Sequence, residues 1–175
     1  CPQSNLKLAS GFCPYSSLTQ AGINVALGTD GAASNNDLDL LAEAQTAALL
    51  AKGVSGDARA GSAFEIIEAA TVNGARALGL EDSIGSIEPG KQADLCAIDL
   101  SDARTQPVHH VASQLVYAAT SRQVSDVWVA GRRVLESGRL TTIDIDEVAD
   151  RARGWQTRLA GLDGERHGQS RESTG

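Results

Sequence analysis

The stretch Ile23-Asn24-Val25-Ala26-Leu27-Gly28-Thr29, followed at once by Asp30-Gly31-Ala32-Ala33-Ser34-Asn35, decides how this 175-residue chain is read. A short apolar run bounded by Gly22 and Gly28 suits a strand buried on both faces, as in a parallel sheet. Residues 15–21 ahead of it read as a short helix, and a polar, glycine-rich loop follows. Helix, glycine, strand and loop in that order make the repeat of an α/β fold. Asp30 then falls at the C-terminal end of the strand, where the loops of α/β barrels surround a pocket mouth. A carboxylate there can ligate a metal and exchange a proton with metal-activated water. An Asp followed by Gly after a strand is also often only a turn residue or a helix cap.

Beyond the loop, Asn36 reads as the cap of a helix with Asp39 in its first turn and Gly53 near its end. Leu38, Leu41, Gln45 and Leu49 share one face of it, apolar with a single polar interruption. Ser62 and Glu65 form an S-x-x-E capping box, and Phe64, Ile67, Thr71, Ala75 and Leu78 follow at helical spacing before Gly79. From Ile84 the period changes. Glu88-Pro89-Gly90-Lys91 predicts a type II turn, residues 94–100 a strand, and residues 126–136 a hairpin around Gly131. Those strands are expected to form a small sheet of their own. Residues 143–159 predict a terminal helix, with Asp144 and Glu147 at its start and Ile145, Val148, Ala152, Trp155 and Leu159 along one face. The polar residues after Gly161 predict a disordered tail.

Composition narrows the class. Hydrophobic residues at 42% and charged residues at 21% are ordinary for a globular protein. No apolar run reaches membrane-spanning length, and a formal net charge of -7 argues against a nucleic-acid surface. A cytoplasmic protein, with no membrane and no nucleic acid among its partners, is the expectation. Three scattered cysteines, Cys1, Cys13 and Cys96, predict free thiols rather than a disulfide framework or a zinc knot. The chain has no Met and opens on Cys1-Pro2-Gln3-Ser4-Asn5, so a piece of a longer polypeptide is expected.

Three ordered blocks resemble the amidohydrolase superfamily. They are Cys1-Pro2-Gln3-Ser4-Asn5-Leu6-Lys7-Leu8, Leu27-Gly28-Thr29-Asp30-Gly31-Ala32-Ala33-Ser34-Asn35-Asn36 and Gly85-Ser86-Ile87-Glu88-Pro89-Gly90-Lys91-Gln92-Ala93-Asp94-Leu95. Val127-Trp128-Val129-Ala130-Gly131-Arg132 is similar to the family's late hairpin, although Ala130 stands where Asn is usual before Gly. The resemblance is nearest to S-adenosylhomocysteine/5'-methylthioadenosine deaminases and the related triazine and chlorohydrolase enzymes, and spans residues 1–159.

It implies an α/β fold: the C-terminal part of a (β/α)8 metal-dependent hydrolase barrel plus part of a small β-sandwich. Residues 1–83 would be the end of the barrel, 84–142 the β-sandwich portion, 143–160 the C-terminal helix and 161–175 the tail. It implies Asp30 as carboxylate metal ligand and proton-transfer group, with one divalent metal, zinc by analogy. It also implies a purine nucleoside substrate, an adenosine-type thioether (S-adenosylhomocysteine or 5'-methylthioadenosine) that is hydrolytically deaminated with release of ammonia. Ser4, Asn5, Ser34 and Asn35 are candidate substrate contacts, with loop bracing or helix capping as the alternatives. The family's other metal ligands are histidines, and His109, His110 and His167 match none of their positions. Asp30 alone cannot hold a catalytic zinc, which takes three protein ligands. The chain alone is therefore expected to be inactive, with the missing N-terminal part as its partner and a homo-oligomer allowed. Guanine, a triazine or another heteroaromatic ring is the alternative substrate, and a non-catalytic truncated module the alternative class.

Overall fold

A computed structural model describes residues 1–172, with side chains described as far as residue 160. The chain divides into two units, Cys1–Gly138 and Arg139–Gly175.

The core of the first unit is built on small side chains. Helix α3 (Leu40–Ser55) buries Glu43, Ala44, Ala47, Ala48 and Ala51, and Asp39 rather than Asn36 is its N-cap, accepting from the Leu41 and Ala42 amides. Its end is Gly56 at φ 69, so Gly53 lies inside the helix. The expected leucine face is not the buried one: Leu38 is 48% and Leu49 56% exposed. Alanines win that face because they let neighbouring backbone come close. A Cβ on Gly61 would stand 2.7 Å from the Ala51 Cβ, and φ there is +55, so glycine is required twice over. Around the alanine stripe lie Tyr15 of α2 (Tyr15–Gln20), Ile66 of α4 (Ala63–Ala70) and Val116 of α6 (Val111–Tyr117).

The capping box forms as expected, with the Ser62 hydroxyl and the Glu65 carboxylate each accepting from the other's backbone amide. The helix it starts does not run through to Leu78. It breaks at Thr71 (φ -128, ψ -95), and α5 (Val72–Ala77) resumes beyond. The Thr71 hydroxyl donates to the Ile67 carbonyl at 2.7 Å, a back-bond that bends helices. The buried residues are Ile66, Ala69 and Ala75, whereas Phe64 and Leu78 are exposed.

Residues 23–30 form neither helix nor strand, which corrects the expected buried strand. A parallel strand exists through its ladder with neighbours, and the partners of this segment are helix ends. Leu27 N donates to Ala69 O at 2.9 Å, and the Asn73 side chain donates to Val25 O at 3.3 Å. Val25 and Leu27 still pack on the core.

After the helices comes an antiparallel meander of β1 (Leu95–Ile98), β2 (Val124–Val129) and β3 (Arg132–Glu136). The Pro89-Gly90 turn has Gly90 at φ 97 and closes with Lys91 N donating to Glu88 O. In the hairpin both Ala130 (φ 49) and Gly131 (φ 77) are left-handed, the signature of a type I′ turn. Asp94 holds it by accepting from Ala130 N, and Gly131 N donates to Ala93 O. Arg133 pairs with Asp126 and Glu136 beneath the Trp128 ring.

The second unit holds β4 (Arg139–Leu140) and helix α7 (Ile145–Glu172). The Asp144 carboxylate accepts from the Asp146 and Glu147 amides, fixing the helix start. The helix continues past Gly161 to Glu172, where the sequence predicts a tail. Of that predicted tail, residues 173–175 lie outside the described residues. Among the described residues no helix is long and apolar enough to cross a membrane.

Left-handed φ costs an L-residue such as alanine about 1–2 kcal/mol, and Asn tolerates it far better. Ala130→Asn is therefore expected to raise stability by about 0.5–1 kcal/mol, read as a higher urea midpoint at unchanged slope. An unchanged or lower midpoint would count against a type I′ turn.

Candidate functional site

Two segments that are remote in sequence meet around Asp30. The first is α1 (Pro2–Lys7), a short helix with Pro2 in its opening turn, where a missing N–H costs nothing. The second is the loop of residues 30–38 that leads into α3. Asp30 itself sits at φ 63, a conformation Asp adopts more readily than most residues, and this bends the chain while leaving the carboxylate exposed.

Three donors hold that carboxylate. The Ser4 hydroxyl donates to Oδ2 at 2.8 Å and the Ser34 hydroxyl to the same oxygen at 2.6 Å. Gly31 N donates to Oδ1 at 2.8 Å. The Ser34, Ser4 and Gly31 donors together hold the carboxyl pKa down at about 2, against an ordinary 3.8. The group is thus anionic at any physiological pH. An ionised carboxylate offers about four lone-pair sites. Oδ2 uses both of its sites on the two hydroxyls, and Oδ1 keeps one open. That opening can take a metal ion or a proton.

Asn35 faces the other way. It is 3% exposed, and its carboxamide donates to Glu43 Oε1 at 2.6 Å. Its Oδ1 accepts from the amides of Asp37 and Leu38, closing the end of the loop. Glu43, in the first turn of α3, is fully buried and also accepts from Gln3 N at 3.2 Å. Burial pushes its carboxyl pKa up. Lys7 adds an outer tie, donating to Ala33 O and to the Asn36 side chain at 2.6 Å. Of the residues singled out from sequence, Ser4 and Ser34 are therefore gathered on Asp30 and Asn35 on Glu43. The Asn5 carbonyl accepts from Ser10 N.

Glu43, Gln3 and Lys7 escaped the sequence reading. The signal for Glu43 was present: a carboxylate in register with Ala44, Ala47, Ala48 and Ala51 on one helix face. Among the described residues no three His, Cys, Asp or Glu side chains gather where they could hold a metal, so Asp30 fits as one ligand of a set and not as a complete site. His109 and His110 are exposed, and the His167 side chain lies outside the described ones. The three cysteines are free thiols.

The profile of the amidohydrolase family matches residues 1–134. The 5-methylthioadenosine/S-adenosylhomocysteine deaminase of Teredinibacter turnerae is 58% identical over 159 residues, covering 91% of this chain and 36% of its own. The deaminase of the same description from Moorella thermoacetica is 50% identical, covering 85% of this chain and 35% of its own. A crystal structure of an adenosine deaminase from Xanthomonas campestris with bound zinc superposes with a TM-score of 0.90 at 56% identity, over 92% of this chain and 37% of that one. Atrazine chlorohydrolase from Arthrobacter aurescens, complexed with zinc, gives 0.80 at 29% identity, over 87% of this chain and 34% of that one. The chain spans about a third of the length of these relatives. With its motifs, its fold and 134 matched residues in accord, the chain belongs to the amidohydrolase family.

Proposed function

We propose that this chain is the C-terminal portion of a metal-dependent aminohydrolase that deaminates 5'-methylthioadenosine or S-adenosylhomocysteine. On this reading residues 1–83 complete a (β/α)8 barrel, with residues 23–29 pairing as a strand only beside the rest of the protein, and residues 84–142 contribute to a β-sandwich. The observation that carries it is the Asp30 carboxylate, held ionised by Ser4, Ser34 and Gly31 with one lone pair of Oδ1 unused. The substrate class is supported by relatives at 58% and 50% identity that are described as deaminases of these thioethers.

Asp30 Oδ1 would be one ligand of a zinc ion whose histidine ligands come from the rest of the protein. When bound, the metal lowers the pKa of a water and supplies a nucleophile near neutral pH. The residues of this chain keep the carboxylate aimed and charged. With Oδ1 on the metal, Asp30 would take the proton of the attacking water on Oδ2, one serine hydroxyl giving way while the other keeps its hold, and would pass that proton to the amino group, which leaves as ammonia. Ser4 and Ser34 fix Oδ2, so the carboxylate does not turn between these steps. Asn35 serves the loop rather than the substrate.

In the full-length protein, Asp30→Asn and Asp30→Ala are expected to lower kcat/KM for 5'-methylthioadenosine by about 10²–10⁴-fold, read as ammonia release. Activity within tenfold of the parent sinks the assignment of Asp30. Guanine or a triazine turned over in place of the thioether nucleosides moves the substrate to another ring. Failure to turn over any of them leaves a non-catalytic module.

The depressed pKa of Asp30 has a definite sign. Its stabilising contribution is complete above the ordinary 3.8 and is lost as pH falls through about 2. Removing a donor reverses the shift, so Ser34→Ala is expected to move the titration upward toward 3.8, read by carboxyl carbon NMR on metal-free protein. A titration that stays put would mean that the hydroxyl does not set the charge.

A further inference from the structure

Glu43 is a fully buried carboxylate that the proposed chemistry does not use. Its two oxygens contact Gln3 and Asn35, and each of these is the immediate neighbour of a residue bound to Asp30. Gln3 N donates to Oε2, while the adjoining Ser4 donates to Asp30. The Asn35 carboxamide donates to Oε1, while the adjoining Ser34 donates to Asp30. Asp30 and Glu43 thus pin the same two segments from opposite sides, one at the surface and one in the core. Residues 3–4 form one rail and residues 34–35 the other. Asn35 passes the restraint on, because its Oδ1 also accepts from Asp37 and Leu38.

A plain packing role does not account for this arrangement. A hydrophobic side chain would fill this buried position without burying a carboxylate, which is costly unless hydrogen-bonded. We propose that Glu43 is a positioning residue for Asp30, fixing through Gln3 and Asn35 the spacing of the two serine hydroxyls that aim the metal-binding carboxylate. This rests on the proposed role of Asp30.

The polarity of the Asn35–Glu43 bond supplies the test. Glu43→Gln keeps the shape but has one acceptor oxygen for two N–H donors, so one donor faces an NH2 group. Asn35→Asp sets two carboxylates against each other. The double variant Asn35→Asp/Glu43→Gln restores every bond with one reversed: Gln donates to Asp and still accepts from Gln3 N, and Asp still accepts from residues 37 and 38. In the full-length protein each single variant is expected to weaken zinc binding and lower kcat by about 10–100-fold, the range seen when a ligand's supporting hydrogen bonds are lost. KM should change by less than about threefold, and the double variant should return near the parent in both. Singles with lowered melting temperature but unchanged zinc affinity and kcat per folded molecule overturn the proposal, as does a double variant no better than the singles. Amide hydrogen exchange over residues 31–38 separates this from failure of the deaminase reading. If the parent neither binds zinc nor deaminates, faster exchange in the singles, restored in the double, still upholds the clamp; exchange equal to the parent's overturns it.

Discussion

Every part of the site answers to one constraint: the Asp30 carboxylate must be held by donors from two segments while the backbone turns sharply beneath it. The left-handed φ of Asp30 makes the bend, and Gly31 N closes onto Oδ1. Ser4 brings α1 alongside, and Ser34 folds the loop back. A carboxylate free to rotate would present a metal with a changing set of lone pairs; this one presents a single open direction. The same bonds keep it charged, so geometry and electrostatics have one origin.

Beneath this surface the fold spends its packing on closeness rather than bulk. The alanine face of α3 lets α2, α4 and α6 approach, and Gly85 does the same beside α5, where a Cβ would stand 2.7 Å from that of Ala75. Larger apolar residues, including Leu49, Phe64 and Leu78, remain exposed. The first turn of α3 joins core to site. Asp39 caps the helix and Glu43, four residues on, reaches the loop through Asn35. Helix α3 is therefore the base from which the loop of Asp30 is suspended.

What the sequence made legible follows the range of the forces involved. The Ser62–Glu65 box, the Pro89-Gly90 turn and the Asp144 cap are local bonds between near neighbours, and all form. The donors around Asp30 were only half legible: its motif is compact, but which side chains close on it depends on a segment 26 residues away. The run at residues 23–29 has the composition of a strand, but a strand needs a partner, and composition cannot supply one. The face of α3 misled because leucine carries more apolar area than alanine; which face is buried depends on how closely the neighbours come. Asn35 looked like Ser34 from sequence, two polar residues after Asp30. Only the position of Glu43, eight residues on, turns one inward and leaves the other on the carboxylate.

Whether this carboxylate receives a metal is open to direct inspection. Diffraction from the full-length protein at the zinc absorption edge would locate any bound ion by its anomalous signal. Zinc is expected about 2.0–2.2 Å from Asp30 Oδ1, with Ser4 and Ser34 still on Oδ2. Zinc bound elsewhere, with Asp30 keeping only its three hydrogen-bond donors, would contradict it.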